Sequence, residues 1–269
     1  MSGRVEGKVA FITGAARGQG RSHAIRLAEE GCDIIAADIL EDYPTVRYAM
    51  SGRAELTETV RAVEALDRGI VAAKADVRDA AVLRAALDYG VAELGRLDIV
   101  CANAGIYTVQ PWDQVTPQVW QDTVDTNLTG VWNTMVAAVP HLIAAGGGSI
   151  IATSSTAGLK GMPFLAPYVA AKHAVTGLCR SLANELAGHN IRVNTVHPAG
   201  VDTPMVTGRE TLEPFISRNP ELGAIFANAL DVDALDPRDV SNAVLWLASD
   251  EARYVTGAAL TVDAGNTIR

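Results

Sequence analysis

Short apolar, β-branched runs alternate with longer helical patterns along the whole 269-residue chain. The seven short runs, apolar on both faces, are Val9–Ile12, Asp33–Ala37, Gly69–Ala73, Leu97–Cys101, Ser149–Thr153, Arg192–Val196 and Ala259–Val262. The helical patterns between them are Gly18–Glu30, Leu56–Leu66, Ala80–Leu94, Pro117–Ala145, Ala166–Ala187 and Pro237–Ala248. Strands with no polar face, separated by helix-length segments, are typical of a buried parallel sheet. The pattern therefore predicts an α/β fold, a doubly wound seven-stranded parallel sheet with helices on both faces.

Neither a linker, a low-complexity tract nor an internal repeat interrupts this alternation, so we expect residues 1–269 to form a single domain. Two connections exceed the usual length of roughly 2–6 residues. They run from Ile39 to about Gly52 and from about residue 204 to 235. Long connections at the carboxyl side of such a sheet usually cover a ligand. We expect the second to be a substrate lid; padding without function is the alternative for both.

Composition narrows the function classes. The formal charge of −9 argues against binding to nucleic acid or to an anionic membrane surface. No run approaches the roughly 18 apolar residues of a membrane span, and no signal peptide is recognisable. Three widely spaced cysteines, Cys32, Cys101 and Cys179, are typical of buried free thiols and indicate a reducing, cytoplasmic location. The five histidines show no metal-ligand spacing, so we expect no metal.

A glycine-rich turn, Thr13-Gly14-Ala15-Ala16-Arg17-Gly18-Gln19-Gly20, follows the first predicted strand. Its spacing, Gly-x-x-x-Gly-x-Gly, differs from the Gly-x-Gly-x-x-Gly dinucleotide fingerprint. Both motifs would bind a pyrophosphate in the same way, because glycines let the backbone approach it and the next helix points its free N–H groups at it. Any strand–turn–helix connection can use glycines, but the position after the first strand favours a dinucleotide site in a Rossmann-type fold.

Asp38 ends the second predicted strand. A carboxylate there suits the ribose hydroxyls of NAD and repels the extra phosphate of NADP. A helix cap or an ordinary loop charge is the alternative role. Arg17 is a counter-signal, because a cation in the turn could attract that phosphate. We give the Asp38 carboxylate more weight than the Arg17 cation and expect NAD rather than NADP.

Two further strand ends carry candidate cofactor contacts. Asp76-Val77 follows the third strand, where an adenine would lie, and Asn103-Ala104-Gly105 follows the fourth. The latter offers small residues and a side-chain amide where a cofactor must come close. Asp and Asn-x-Gly also serve ordinary turns, so neither segment is specific by itself.

Tyr168 and Lys172 are four residues apart on a predicted helix and so lie on one helix face. A free tyrosine has a pKa near ~10, and lowering it to about 7 requires roughly 4 kcal/mol at about 1.36 kcal/mol per unit. One cation at ~4 Å supplies only about 1 kcal/mol in water, but about 4 kcal/mol at an effective dielectric near 20. The pair can therefore serve acid–base catalysis only inside a shielded pocket.

As an ordered set, these motifs resemble the short-chain dehydrogenases/reductases over essentially the whole chain. The motifs that carry the resemblance are Thr13-Gly14-x-x-x-Gly18-x-Gly20, Asn103-Ala104-Gly105, Asn127 in Asp125-Thr126-Asn127-Leu128, Ser155, Tyr168-x-x-x-Lys172, and His197-Pro198-Ala199-Gly200 with Thr203. No single motif is specific, whereas the ordered set is.

The resemblance implies a catalytic set of Asn127, Ser155, Tyr168 and Lys172. Tyr168 would exchange a proton with the substrate oxygen while hydride moves to or from nicotinamide. Lys172 would lower the pKa of Tyr168 and bind the nicotinamide ribose, and Ser155 would hold the substrate oxygen. Asn127 would position a water in a proton relay with Lys172. Ser154 is the competing choice for the role of Ser155.

The resemblance also implies an NAD site. The expected cofactor-binding residues are Gly14, Arg17, Gly18, Gln19, Gly20, Asp38, Ile39, Asp76, Val77, Asn103, Ala104, Gly105, Tyr168, Lys172, Pro198, Gly200, Val201, Thr203 and Met205. The segment from Pro198 to Thr203 would clasp the nicotinamide amide. We read His173 and His197 as packing or loop residues.

A narrower likeness is to the mycofactocin-associated, carveol dehydrogenase-like subgroup. It rests on Gly20-Arg21-Ser22-His23-Ala24, on the long Tyr43–Met50 insertion, and on the ending Val262-Asp263-Ala264-Gly265. In that subgroup the insertion helps to bury NAD so that it does not exchange freely. The resemblance then implies mycofactocin, rather than soluble NAD, as the electron acceptor.

The expected substrate is an apolar secondary alcohol or its ketone, of about terpenoid size. The candidate lining residues are Ile106, Tyr107, Trp112, Met162, Phe164, Met205, Leu212, Phe215, Ile216, Leu222, Ile225 and Phe226. Helical spacing of such residues more often means ordinary core than a pocket. Members of the family are commonly homotetramers, so we expect one here. NAD-dependent epimerisation or dehydration, and a non-catalytic NAD-binding regulator, are the alternatives.

Overall fold

The computed structural model describes residues 3–207 and 212–269. Its strands are β1 (Val9–Thr13), β2 (Asp33–Asp38), β3 (Ile70–Lys74), β4 (Ile99–Ala102), β5 (Gly148–Thr153), β6 (Ile191–Pro198) and β7 (Ala259–Val262). They form one sheet in the order β3-β2-β1-β4-β5-β6-β7, and every neighbouring pair is parallel. The predicted doubly wound seven-stranded sheet is confirmed, with strand ends that differ from the predicted ones by a few residues.

Helices connect the strands. They are α1 (Gly18–Ala28), α2 (Arg53–Glu64), α3 (Ala80–Leu94), α4 (Pro117–Val124), α5 (Gly130–Ala144), α6 (Ala166–Glu185), α7 (Pro204–Thr207), α8 (Glu213–Ile216) and α9 (Pro237–Ala248). Side chains cap several N-termini: Asp79 accepts from the amides of the first turn of α3, and Thr116 and Asp236 do the same for α4 and α9. Such caps satisfy amides that have no partner within the helix and so fix where each helix begins.

The strands bury side chains on both faces, as their apolar composition requires. In β1, Ala10 and Ile12 pack on one face with residues of α1, α2 and α9. Val9 and Phe11 pack on the other face with residues of α3, α5 and α6. Because successive side chains of a strand point to opposite faces, one strand serves two cores. The helices therefore cover both faces of the sheet.

The predicted single helix over 117–145 is wrong in one respect. A five-residue π-helical segment, Asp125–Thr129, joins α4 to α5. Sequence periodicity does not reveal it, because one extra residue in a turn leaves the apolar pattern on either side unchanged. Such segments occur frequently at functional sites, and this one contains Asn127.

The two long connections differ in structure. Residues 39–52, which we name the cover loop, contain neither helix nor strand. Residues 204–235, the predicted lid, contain α7, α8 and a 3-10 helix over Pro220–Phe226. The part of this prediction at 208–211 lies outside the described residues.

The described part of the chain contains no helix that is both long and apolar enough to cross a membrane. All three cysteines are buried and free.

Gly90 tests the packing of α3 on the sheet. A Cβ at this buried helix position would lie 2.6 Å from the Ile35 Cγ2 atom, so Gly90→Ala forces β2 or α3 to shift. We expect a loss of about 1–3 kcal/mol in the free energy of unfolding, measured by urea denaturation. The matched control is Gly177→Ala in α6, where a Cβ meets nothing within 4 Å. That variant should be neutral or up to about 1 kcal/mol more stable, and equal loss in both variants would contradict the packing argument.

Candidate active site

One pocket runs along the carboxyl ends of the strands, where the strand order reverses between β1 and β4. Open α/β sheets bind ligands at this point because the connections diverge there and leave a crevice. Every predicted cofactor residue lines the pocket, and so do Ser155, Tyr168 and Lys172. Asn127 is placed behind the pocket wall. The structure therefore gathers the pocket-lining residues of the predicted site from seven separate segments of sequence.

The glycine turn forms part of the pocket lining. Gly14 and Gly18 have φ angles of +67° and +54°, a region that side chains rarely adopt. A Cβ at Gly20 would lie 2.0 Å from the carbonyl oxygen of Gly14. The turn therefore depends on glycine at all three positions, and it places the N-terminus of α1, with its unpaired amides, against the pocket.

Asp38 is buried at the end of β2 and already has several partners. Its carboxylate accepts from the Ala16 amide at 2.9 Å and from the Ser51 hydroxyl at 2.6 Å. The Leu40 amide donates to it at 3.3 Å. A carboxylate offers about four acceptor positions, so one remains for a ribose hydroxyl. Asp38 thus joins the glycine turn to the cover loop.

Arg17 lines the pocket, but its guanidinium already has partners within the protein. Its guanidinium lies 3.4 Å from the Glu55 carboxylate and donates to the Ala49 carbonyl. Both partners lie in or next to the cover loop. Arg17 is therefore a weaker argument for NADP binding in the structure than in the sequence alone.

Two residues predicted to make polar contacts with the cofactor, Asp76 and Asn103, have partners within the protein. The Asp76 carboxylate holds the guanidinium of Arg78, with the nearest pair of atoms 2.7 Å apart. The Asn103 amide donates to the Thr13 carbonyl at 3.1 Å and its oxygen accepts from Thr153 at 3.2 Å. Both residues line the pocket. The expected free side-chain amide of Asn103 is already hydrogen-bonded, so this part of the wall offers a ligand mainly backbone groups and small neighbouring residues.

The cover loop is fastened over the adenine end of the pocket. The Tyr43 hydroxyl lies 3.1 Å from the Thr126 hydroxyl, and the Arg78 guanidinium lies 4.3 Å from the Tyr43 ring centroid. The Thr45 hydroxyl donates to Asp122 at 2.6 Å. These contacts tie the loop to α4 and to the π-helical segment that contains Asn127.

Four residues of the cover loop reach the pocket without having been predicted as cofactor contacts. They are Tyr43, Tyr48, Met50 and Ser51. Burial raises the pKa of Tyr48, which the nearby Tyr107 amide partly offsets. The Tyr48 hydroxyl makes no hydrogen bond of ordinary geometry within the described chain. The length of the insertion was the signal for the loop, but nothing in the sequence distinguishes which of its side chains turn inward.

The two serines after β5 have separate tasks. The Ser154 hydroxyl is buried and donates to the Lys172 carbonyl at 3.0 Å, on the backbone of α6. The Ser155 oxygen accepts from the Ala157 amide at 3.1 Å and is hydrogen-bonded to the Tyr168 phenol. Both serines line the pocket, but the Ser154 hydroxyl is hydrogen-bonded to α6 and the Ser155 hydroxyl to Tyr168. The geometry therefore favours Ser155 as the serine that faces a substrate.

Tyr168 and Lys172 lie side by side, with the ammonium 5.5 Å from the phenol ring centroid. Burial raises the pKa of Tyr168 to about 12, although the hydrogen bond from Ser155 favours the ionised form. Burial lowers the pKa of Lys172 to about 8. Its ammonium donates to the Thr153 carbonyl at 2.7 Å. Burial in the shielded pocket thus opposes the charge on both side chains.

Asn127 is fully buried, and both polar atoms of its side chain are hydrogen-bonded. Its oxygen accepts from the Ile106 amide and its nitrogen donates to the Ile106 carbonyl, each at 2.8 Å. These two bonds fix the backbone after β4, next to Gly105, where a Cβ would lie 3.7 Å from the Lys172 ammonium. The role of Asn127 in positioning a relay water stays a prediction.

The histidines after Lys172 and in β6 have structural roles, as expected. His197 donates from Nδ1 to the Ser155 carbonyl at 2.8 Å, and its Nε2 lies 2.7 Å from the Thr195 hydroxyl. His173 contacts the Val169 carbonyl on its own helix.

Half of the predicted substrate-lining residues reach the pocket: Ile106, Tyr107, Met162, Met205, Leu212 and Phe226. Trp112 is 86% exposed. Phe164 and Phe215 stack on each other with ring centroids 5.2 Å apart. Tyr107 meets Tyr168 edge to face at 5.4 Å, so an aromatic ring lies beside the Tyr168 phenol. Asn266, from the C-terminal segment, also lines the pocket and had no signal in the sequence.

The pocket fits a dinucleotide. The glycine cradle and the exposed amides of α1 suit a pyrophosphate, and Asp38 suits a ribose. The side-chain oxygen of Gln19, in the cradle, is buried without a hydrogen-bond partner in the described chain. Buried polar atoms normally have partners, so this one is consistent with a polar ligand. Residues 3–207 and 212–269 contain no cluster of three or more His, Cys, Asp or Glu side chains able to hold a metal ion.

Comparison with known proteins places this geometry among relatives. Residues 8–213 match the family model described as short chain dehydrogenase. The (-)-trans-carveol dehydrogenase of Rhodococcus erythropolis is 50% identical, over 99% of each chain. A short chain dehydrogenase from Mycobacterium paratuberculosis bound to NAD has a TM-score of 0.97 and 51% identity, covering 99% of this chain and 100% of that one. Carveol dehydrogenase from Mycobacterium avium in complex with NAD has a TM-score of 0.94 and 50% identity, with the same coverage.

Asp38 provides a test of cofactor choice. Asp38→Ala removes a charged hydrogen-bonding group worth about 1.5–3 kcal/mol, so we expect roughly 10- to 100-fold weaker NAD binding and reduced rejection of NADP. The measurement is the ratio of NAD to NADP recovered from protein refolded with equal concentrations of both. Ser51→Ala is the control, because it removes one partner of Asp38 and keeps the carboxylate. A wild-type protein that takes up NADP as readily as NAD would contradict this interpretation.

Proposed function

The chain belongs to the short-chain dehydrogenase/reductase family, and we propose that it interconverts an apolar cyclic secondary alcohol and its ketone. It is an NAD-dependent alcohol dehydrogenase, as the NAD-bound relatives and the carveol dehydrogenase relative show. The observation that carries the proposed substrate class is the aromatic and aliphatic wall beside Tyr168, in which Tyr107 meets the phenol edge to face.

The proposed mechanism uses Tyr168 as the acid–base group. In alcohol oxidation, the Tyr168 phenolate takes the proton of the substrate hydroxyl, and in ketone reduction the phenol returns it. Ser155 donates a hydrogen bond to the same substrate oxygen and stabilises the charge that develops there. NAD, when bound, supplies the hydride acceptor or donor. Asn127 holds the backbone at Ile106 and would position a water in a proton relay with Lys172.

The ionisation of Tyr168 depends on charge brought into the pocket. Burial raises its pKa in the protein alone, and burial also favours the neutral form of Lys172. A positive charge on an oxidised nicotinamide would act at low effective dielectric, where each charge interaction is several-fold stronger than in water. We propose that the cofactor and Lys172 together bring the phenolate into reach. Acid–base competence is thereby linked to an occupied cofactor site.

The substrate wall favours a ring-sized apolar molecule. The lining side chains near Tyr168 include Ile106, Tyr107, Met162, Leu212 and Phe226. Ordered apolar pockets bind apolar ligands by removing their surface from water, at roughly 25 cal/mol per Å². We propose a terpenoid-like alcohol of carveol type, since the similar proteins from Rhodococcus and Mycobacterium avium bear that name. Residues 204–235 would act as the lid of this single-domain protein.

We further propose that NAD is retained through the catalytic cycle and that mycofactocin accepts the electrons. The support is the cover loop, whose contacts with Thr126 and Asp122 lie across the adenine end of the pocket. A cofactor can leave only when those contacts open. A retained cofactor needs an electron acceptor that comes to it.

A cytoplasmic homotetramer is the proposed form of the protein. Trp120 and Trp132, on α4 and α5, are 45% and 43% exposed, which is unusual for tryptophan on a free surface. Burial of both against another copy would explain their exposure in the single chain. The free buried cysteines are consistent with the reducing cytoplasm.

The test of the proposed function is to follow the absorbance of bound nicotinamide against a panel of alcohols, with and without an artificial electron acceptor. We expect cyclic apolar secondary alcohols to reduce the cofactor and small polar polyols to fail. Tyr168→Phe should lower the rate by about 10²- to 10⁴-fold, because it removes the acid–base group and keeps the ring. Tyr89→Phe is the matched control, since Tyr89 is 60% exposed on α3. A panel in which polyols react best would refute the substrate class.

Retention of NAD is tested by desalting. Protein purified without added cofactor should carry NAD through gel filtration and release it on unfolding. Tyr43→Ala removes the ring under Arg78 and the hydroxyl contact with Thr126, so this variant should lose NAD on the same column. Tyr254→Ala, at a position 89% exposed, should retain it. Recovery of folded, cofactor-free wild-type protein would end the proposal of a retained cofactor.

A further inference from the structure

Lys160 lies in the loop that leads from Ser155 to α6, and its ammonium group holds three segments together. It donates to the carbonyl of Ile225, at the end of the lid's 3-10 helix, at 2.8 Å. It also donates to the carbonyl of Asn266 in the C-terminal segment. Its own amide donates to the Thr156 carbonyl at 3.0 Å, within the turn that begins at Ser155. One cation therefore joins the serine turn, the lid and the C-terminus.

Hydrogen bonds within the C-terminal segment position the Asn266 carbonyl that accepts from Lys160. The Asp263 carboxylate accepts from the Gly265 amide at 3.1 Å and from the Thr267 amide and hydroxyl at 2.8 and 2.6 Å. This arrangement fixes the turn that presents the Asn266 carbonyl. Burial lowers the pKa of Lys160, and the negative charge of Asp263 opposes that effect. The ammonium is thus held by two carbonyl dipoles with a carboxylate nearby, as partly buried charges require.

Further hydrogen bonds attach the lid to the same segment. The Asn266 side chain donates to the Ala227 carbonyl at 3.0 Å. The amides of Ala229 and Leu230 both donate to the Ala264 carbonyl, at 2.9 and 3.0 Å. Residues 225–230 are therefore anchored at successive positions, while the lid residue Phe226 and the anchoring residue Asn266 both line the pocket.

We propose that Lys160 is a positioning residue that sets the substrate lid against Ser155 and so determines the affinity for ring-sized substrates. This inference rests on the proposed function. Lys160 touches neither the glycine turn nor Asp38 in the described contacts, and it is not among the residues lining the described pocket. Its influence on the reaction passes through Phe226, Asn266 and the serine turn, and the cofactor end should not feel it.

The kinetic test compares Lys160→Met and Lys160→Arg with the wild type on two apolar alcohols, one of ring size and one short and acyclic. We expect Lys160→Met to raise KM for the ring-sized alcohol about tenfold, the factor that corresponds to about 1.4 kcal/mol. KM for the short alcohol, which does not reach Phe226, should change far less, and bound NAD should be unchanged. Lys160→Arg keeps a cation with several donors and should restore part of the affinity. The control is Lys8→Met, which removes a lysine paired with Asp250 near the start of β1.

Hydrogen exchange provides a second readout that does not require turnover. In Lys160→Met, amides of residues 225–230, including those of Ala229 and Leu230, should exchange faster, while the amides of β1 keep their protection. If no alcohol is oxidised by the wild type, the proposed function fails, and the exchange experiment still decides whether Lys160 holds the lid. Equal KM changes for both alcohols, no rescue by arginine, or unchanged exchange at 225–230 would each overturn the inference.

Discussion

The site depends on a small hydrogen-bond network that joins the carboxyl ends of three strands. Asn103, after β4, bonds to Thr13 of β1 and to Thr153 of β5. The carbonyl of that same Thr153 accepts the Lys172 ammonium. The glycine turn begins directly after Thr13, so the glycine turn and Lys172 are fixed to the same strand ends. A shift of any of these strand ends would separate the cofactor end of the pocket from its chemistry.

The proposed chemistry also requires that water be excluded, and both long connections contribute residues to the pocket lining. Tyr43 and Thr45 hold the cover loop to the π-helical segment and α4, and Lys160 bonds to Ile225 of the predicted lid. The same shielding that makes charge interactions strong also penalises an isolated charge. Burial accordingly raises the pKa of Tyr168. The pocket is thus suited to chemistry in which opposite or compensating charges arrive together.

The sequence predicted those parts of the molecule that follow from local patterns. Apolar runs gave the sheet, and the glycine turn with Asp38 gave the cofactor end, because strand ends of a parallel sheet must meet at one edge. The sequence could not reveal that the Asn127 side chain is hydrogen-bonded to the backbone of Ile106, because that contact joins distant segments. It also could not reveal that Asp76 is paired with Arg78, because that contact depends on side-chain conformation. Asn266 illustrates the same limit: it reaches the pocket only because the C-terminus folds back onto the lid. The π-helical segment left no mark on the apolar pattern.

That π-helical segment has a consequence for the outer surface of the protein. Trp120 and Trp132 are twelve positions apart, and in a regular α-helix, at about 100° per residue, they would point about 120° away from each other. A π-helical turn takes up about one extra residue, which reduces the angle to about 20°. By this geometry, the irregular segment that contains Asn127 would bring the two exposed indoles toward one side of the α4–α5 surface. A local change in helical phase thereby links the architecture of the pocket to that of the outer face.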